Sequence, residues 1–268
     1  MALCLRMTWF VAWYGASAVI RFVTLATACT IVAGLVGWTP AVRAEQPLPV
    51  PEIEKIVRDY LMREPQVIYE AIQELQKRQQ EADAARAQAA IVDRADEIFR
   101  HAEDPVIGPA SGDVTLVEFF DYHCGYCRAM VPKLQNLVDG DSQLRFVFKE
   151  LPVLGPDSVT AAKASLAASK LDPAKYYDFH LALMQAKDIG LDSALKIAGE
   201  QGYDVAAVRA EMDAPWIQER LDANQALAQT LGINGTPSFV VGKTLIPGAV
   251  DVARLEELIA GQRKAAVN

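Results

Sequence analysis

The chain is short of thiols and imidazoles: its 268 residues contain four cysteines and three histidines. Two of the cysteines, Cys4 and Cys29, fall within the first 44 residues, and His101, His123 and His180 are scattered. A structural zinc site takes four protein ligands, commonly as two Cys/His pairs at similar spacing, and no second pair exists here. Beyond residue 44 only Cys124 and Cys127 remain, so a wider disulfide framework is excluded as well. There is no phosphate-cradling glycine loop and no extended low-complexity tract. Basic residues are also in deficit, 26 Lys and Arg against 34 Asp and Glu, which argues against nucleic acid and anionic membrane surfaces as partners.

The first 44 residues have neither lysine nor acid, and carry Arg6, Arg21 and Arg43 around two apolar stretches. The second stretch, Phe22 to Trp38, is followed by Thr39-Pro40-Ala41-Val42-Arg43-Ala44, a helix break with small residues suited to cleavage after Ala44. A secretory signal over 1–44 is the expectation. It exceeds the roughly 15 to 30 residues usual for one, which points to translation from Met7 or to an extended n-region. The alternative is an uncleaved inner-membrane anchor, since the stretch sits at the lower end of the roughly 17 to 25 apolar residues that span a bilayer. Ala26-Thr27-Ala28-Cys29 loosely resembles a lipobox, but the apolar core continues past Cys29 instead of ending there. Cleavage would leave 23 basic against 34 acidic residues and an exported chain with one dithiol, a reagent for the thiols of other proteins.

That dithiol is Cys124-Gly125-Tyr126-Cys127. It follows an apolar strand, Val114-Thr115-Leu116-Val117-Glu118-Phe119-Phe120, and opens a helix expected from about Gly125 through Leu137. Unpaired N–H groups and the positive dipole end of a helix favour a thiolate there, which makes Cys124 the candidate nucleophile. One helical turn brings Cys127 under it, placed to attack a mixed disulfide on Cys124 and close the pair. A zinc half-site and a plain disulfide staple are the alternatives.

The segment Glu118-Phe119-Phe120-Asp121-Tyr122-His123-Cys124-Gly125-Tyr126-Cys127 resembles the active-site segment of the DsbA-like branch of the thioredoxin superfamily. A second segment, Ala228 through Gly242, resembles that family's cis-proline loop, with Thr236-Pro237 facing the sulfurs. The resemblance covers the chain from about Val114 to Ala260. It implies a thioredoxin fold with an all-helical insertion, substrate contacts at Gly125, Tyr126, Thr236 and Pro237, and a proton relay from a buried Glu118 to Cys127. Alternation along the strand leaves open whether Glu118 faces solvent. His123 is placed to modulate the Cys124 thiolate, although a sequence neighbour need not point at the sulfur. Pro237 also reads locally as an ordinary turn proline opening the Ser238–Val241 strand.

Residues 45–105 read as a separate helical unit. After the Pro-rich 46–51 segment, apolar residues recur at helical spacing: Ile53, Ile56, Val57, Tyr60 and Leu61, then Val67, Ile68, Ala71, Ile72 and Leu75. Pro65 suits the first turn of a second helix. Gln76 to Ala90 has little to bury and is placed to bend or melt, whereas Ile91 to Phe99 restores a stripe that Asp104-Pro105 should stop. Such a stripe packs on the catalytic domain or on copies of itself. Residues Ile53 through Leu75 resemble the N-terminal oligomerisation region of ScsC-type suppressor-of-copper-sensitivity proteins, which implies a homo-oligomer, a trimer in preference to a dimer.

The remaining domain, 106–268, continues with a strand over Leu144–Leu151 and a helical insertion over about 155–231. Leu166, Tyr176, Phe179, Leu183, Met184, Leu195, Ile197, Val208, Met212 and Leu221 supply the insertion's apolar faces. A strand at Leu245-Ile246 and a helix over Val252–Ile259 close it. The reading is a periplasmic disulfide isomerase or oxidase acting on exported proteins, recycled by a membrane redox partner and needing no metal or organic cofactor for the exchange. The other class is a copper-sequestering protein using the same thiolates. Met130, the only methionine near the pair, fits a helix core position at least as well.

Overall fold

The computed structural model describes residues 49–267, so the expected signal, with Cys4, Met7 and Cys29, lies outside the described residues. Helix α1 (Val50–Arg63) is followed by α2 (Gln66–Asp93), with Pro65 at the α2 N-cap, and then by the short α3 (Ala95–Phe99). The chain divides into two units inside α1, the first ending at Asp59 and the second starting at Tyr60. No residue of α1 is buried.

Helix α2 runs unbroken through the Gln76 to Ala90 stretch that the sequence marks as weak. Exposed side-chain pairs along one face, Glu74 with Arg78 and Lys77 with Glu81, support it at i,i+4 spacing. Helix α3 stops earlier than Asp104-Pro105 predicts. Two cationic side chains from a distant strand reach its C-terminal carbonyls: Arg145 donates to the Phe99 carbonyl at 2.6 Å and Lys149 to that of Glu97 at 2.5 Å. The last helical carbonyls are among the groups a helix leaves unpaired, so capping them here ends α3.

The second unit is built on a five-stranded sheet of β1 (Val106–Ile107), β2 (Val114–Phe120), β3 (Leu144–Glu150), β4 (Ser238–Val241) and β5 (Thr244–Pro247), in the order β1-β3-β2-β4-β5. Strands β2 and β3 are parallel, from Val114 opposite Leu144 to Phe120 opposite Glu150, and the other pairs are antiparallel. The parallel pair needs a crossover, which α4 (Gly125–Gly140) supplies. Both strands are buried at six of their seven positions because both sheet faces are covered. On one face Leu116, Phe120, Phe146, Phe148, Phe239 and Val241 join the core with α4. On the other, Val117, Phe119, Val147 and Val240 pack with Ile91, Ile98 and Leu227. The stretch Ile91 to Phe99 therefore packs on the sheet, whereas Ile68, Tyr69, Ile72 and Leu75 at the start of α2 are exposed.

Between β3 and β4 come α5 (Pro156–Leu171), a 3-10 turn at Pro173–Lys175, α6 (Tyr176–Gln185), α7 (Leu191–Glu200), α8 (Val205–Glu211) and α9 (Pro215–Leu231). Nine of the ten apolar residues assigned to these helices from spacing are buried, and Leu195 is partly so. Gly232, at φ 73°, takes the left-handed cap that ends α9 and turns the chain into the loop before β4. Helix α10 (Val252–Val267) closes the chain. This is a thioredoxin fold with an all-helical insertion, preceded by helices, as the resemblance implied.

Candidate active site

Asp121 follows the C-terminal end of the central strand β2, and three residues later Cys124 occupies the N-cap of α4 with φ −72° and ψ 114°. A cap side chain normally supplies an oxygen to an orphan N–H, and here the Cys124 Sγ accepts from Cys127 N at 3.4 Å. The Cys124 thiol also lies 3.2 Å from the Thr236 carbonyl, to which it donates. The Thr236-Pro237 bond is cis, and the Pro237 carbonyl accepts from Gly248 N at 2.8 Å. Two sequence segments 112 residues apart thus meet at one sulfur.

Both cysteines are free thiols and both are buried, Cys124 at 5% exposure and Cys127 at 0%. Burial pushes the Cys127 thiol far up, and the nearby Glu118 charge adds to it. Glu118 itself is enclosed in the sheet opposite Phe148 and Phe239, which answers the question that alternation left open. Burial pushes its carboxyl up to about 8. It lines a cavity of about 10 Å³ with Tyr177 and His180, the volume of about one water position. His180 is buried, and burial pushes it down to about 3, hence neutral.

Around this centre the other anticipated residues divide. Gly125 and Tyr126 are exposed beside Cys124, Tyr126 at 71%. His123 is exposed and is held through its backbone N–H, which donates to Asp121 Oδ1 at 2.7 Å. Met130 is a core residue of α4 at 2% exposure. Among the described residues no cluster of three or more His, Cys, Asp or Glu is arranged for a metal.

Sequence reasoning missed a polar layer behind the dithiol. Tyr122 Oη bonds Ser165 Oγ at 2.8 Å and His180 Nδ1 at 3.0 Å, while Arg128 Nε donates to the Tyr122 carbonyl at 2.8 Å. Glu150, at the end of β3, is buried beside Tyr122, Tyr176 and Ser165, and burial holds its carboxyl well above the carboxylate range. Neither Glu150 oxygen nor the Tyr176 hydroxyl has a hydrogen bond of good geometry among the described residues. The available signal was the pair Lys149-Glu150 closing a strand whose remaining residues, Arg145 apart, are apolar.

A thioredoxin fold with a reduced CxxC dithiol at a helix N-terminus, facing a cis-proline, defines the class of protein. The chain belongs to the DSBA-like thioredoxin domain family, whose model matches residues 115–260. Residues 51–82 match the copper resistance protein ScsC N-terminal domain. The chain is 44% identical to a thioredoxin-like oxidoreductase from Silicibacter pomeroyi DSS-3, with a TM-score of 0.60 over 63% of this chain and 97% of that one. A linker-deletion variant of Proteus mirabilis ScsC is 28% identical, with a TM-score of 0.62 over 83% of this chain and 100% of that one. Disulfide bond formation protein D of Bacillus subtilis is 30% identical over 173 residues, 60% of this chain and 77% of that protein. Against other curated relatives, the Na+/H+ antiporters NhaA of Herminiimonas arsenicoxydans and Nitrosospira multiformis, the chain spans 26% of their length. Among the described residues no helix is long and apolar enough to cross a membrane.

Proposed function

We propose that the protein is a periplasmic thiol–disulfide oxidoreductase acting as a disulfide isomerase on exported proteins, assembled as a homo-oligomer through its N-terminal helices. The observation that carries the reading is the Cys124 sulfur, set between the Cys127 N–H and the carbonyl of the cis-proline loop. Cys124 as thiolate attacks one sulfur of a substrate disulfide, forming a mixed disulfide and releasing the other substrate sulfur as a thiolate that takes up a proton. In isomerisation a second substrate thiol then attacks the mixed disulfide, restoring the protein dithiol with no net electron transfer. Where no such thiol arrives, Cys127 gives its proton to Glu118 in its ionised fraction, which grows as pH approaches 8, and attacks Cys124 Sγ, which frees the substrate as a dithiol and leaves a Cys124–Cys127 disulfide. Oxidation of a substrate runs this sequence backwards, and a membrane redox partner resets the pair. Thr236 and Pro237, with Gly125 and Tyr126, border the place where an extended peptide lies.

The apolar residues exposed on α1 and α2, and the ScsC match over the same helices, support the oligomer. The leader expected over 1–44 supports export. Catalytic amounts of the protein are expected to reduce insulin and to reactivate a scrambled disulfide protein, with Cys124 alkylated much faster than the buried Cys127. Equal labelling of the two thiols would refute the assignment of the nucleophile. Stoichiometric uptake of copper(I) without turnover would instead make the chain a metal store.

A further inference from the structure

Asp121 stands between β2 and α4, three residues before Cys124, and is 1% exposed. Its carboxylate accepts four hydrogen bonds, divided between two segments. Oδ1 takes the His123 N–H and the Ser158 hydroxyl, each at 2.7 Å. Oδ2 takes the N–H groups of Val153 and Leu154 at 2.8 and 3.0 Å. The Asp121 carbonyl in turn accepts from Cys124 N at 3.0 Å. One side chain therefore ties the turn that carries Cys124 to the loop that joins β3 to α5.

We propose that Asp121 is a positioning residue for thiol–disulfide exchange, locking the Cys124 turn against the β3–α5 loop so that the sulfur stays between the Cys127 N–H and the Thr236 carbonyl. This rests on the reading of Cys124 as the nucleophile. Hydrogen bonds to a carboxylate are roughly twice as strong as neutral ones, so four of them hold the turn far more tightly than the backbone bond alone. Reaction geometry is sensitive at that scale, since a displacement of about 1 Å can lower a rate about a hundredfold. Asparagine cannot reproduce the arrangement, because its amide nitrogen is a donor. With the oxygen turned to Val153 and Leu154, the amide meets the His123 N–H donor to donor. With the oxygen turned to His123, the loop loses its acceptor. A second possible role is charge alone: a carboxylate near the nucleophile repels a thiolate, and its removal would speed the thiolate's reactions. The two roles predict opposite signs.

The test is the full-length D121N protein. Iodoacetamide modification of Cys124 at pH 7 is expected to slow about tenfold, and the equilibrium with glutathione to move by a similar factor toward the disulfide form, because the thiolate loses the Cys127 N–H held against it. A lower Tm with unchanged rate and equilibrium would make Asp121 a structural tie only and overturn the proposal. A faster rate would assign it the charge role and overturn it as well. Should D121N fail to fold, S158A removes one donor from Oδ1 and is expected to slow modification about twofold to threefold; an unchanged rate there would overturn the proposal. The unaltered protein separates this from the underlying reading: if Cys124 does not outpace Cys127 there, it is the proposed function that fails.

Discussion

A carboxyl set in mid-sheet between Phe148 and Phe239 keeps its proton to far higher pH than one in water. The unfolded chain ionises Glu118 near pH 4.5 while the native protein holds the proton until about 8, so this group removes stability as pH rises across that window. Glu118→Gln abolishes the difference and is expected to add ~3 kcal/mol at pH 7 and nothing near pH 4. Urea titrations at the two pH values measure this, and an equal gain at both would trace the effect to packing instead of ionisation. The same variant is expected to slow closure of the Cys124–Cys127 disulfide most as pH approaches 8, where Glu118 becomes ionised and able to accept the Cys127 proton and Gln does not. Cys127→Ser leaves no resolving thiol and is expected to accumulate mixed disulfides through Cys124 on non-reducing gels. Failure to trap any partner under oxidising conditions would tell against the two-step exchange. The approach of Thr236 and the cis Pro237 to Cys124, with Cys127 one turn on, was legible because these residues sit in short motifs. Glu118 was ambiguous because β2 is buried on both faces, which strips period-two alternation of meaning. Asp121 gave no signal, since three of its four side-chain partners lie 32, 33 and 37 residues further on.

Elements on the far side of the sheet are joined by charge as well as by apolar contact. The Lys149 ammonium contacts the Asp104 carboxylate, and Arg220 Nε stands 3.5 Å from the other Asp104 oxygen. Arg220 Nη2 also donates to Asn224 Oδ1 at 2.7 Å, and Asn224 Nδ2 to the Glu150 carbonyl at 3.1 Å. Asp104, β3 and α9 are thus linked through side chains that are all buried. Burial pushes Lys149 down to about 8 even with Asp104 beside it. Removing one partner of a buried pair strands the other, at a cost of roughly 3–5 kcal/mol. Asp104→Ala is expected to reach that range and to exceed Lys149→Met, because it strands two cations whereas the latter leaves Asp104 with Arg220. Urea unfolding of the two variants gives the order, and the reverse order would place the stabilising contact elsewhere. Strand positions and helix faces here were legible from apolar runs and from spacings of three and four. The early end of α3 was not, because its capping side chains come from β3, 46 and 52 residues away.

In the protomer the apolar stripe at the start of α2 faces solvent, with Ile68 and Ile72 each 47% exposed and Leu75 at 67%. Contiguous apolar surface on an exposed helix marks an interaction site, and the stripe itself was legible in the sequence. Its cover was not, since a single chain carries no record of a partner. An isomerase must hold a misfolded substrate while wrong disulfides are broken and remade, so several active sites around a shared space favour isomerisation over simple oxidation. Copies of the chain joined through these helices meet that requirement. The chain from residue 45 onward is therefore expected to scatter light as a homo-oligomer, a trimer in preference to a dimer. I68E/I72E alters only exposed positions of α2 and leaves its buried residues, Ala87 and Ile91, in place. That variant is expected to be a monomer with an unchanged Tm and unchanged insulin reduction, but with scrambled-substrate reactivation reduced to near background. A monomer that still reactivates scrambled substrate would separate isomerisation from assembly. A monomer found for the unaltered chain would remove the oligomer altogether and leave a DsbA-like oxidase carrying a helical extension.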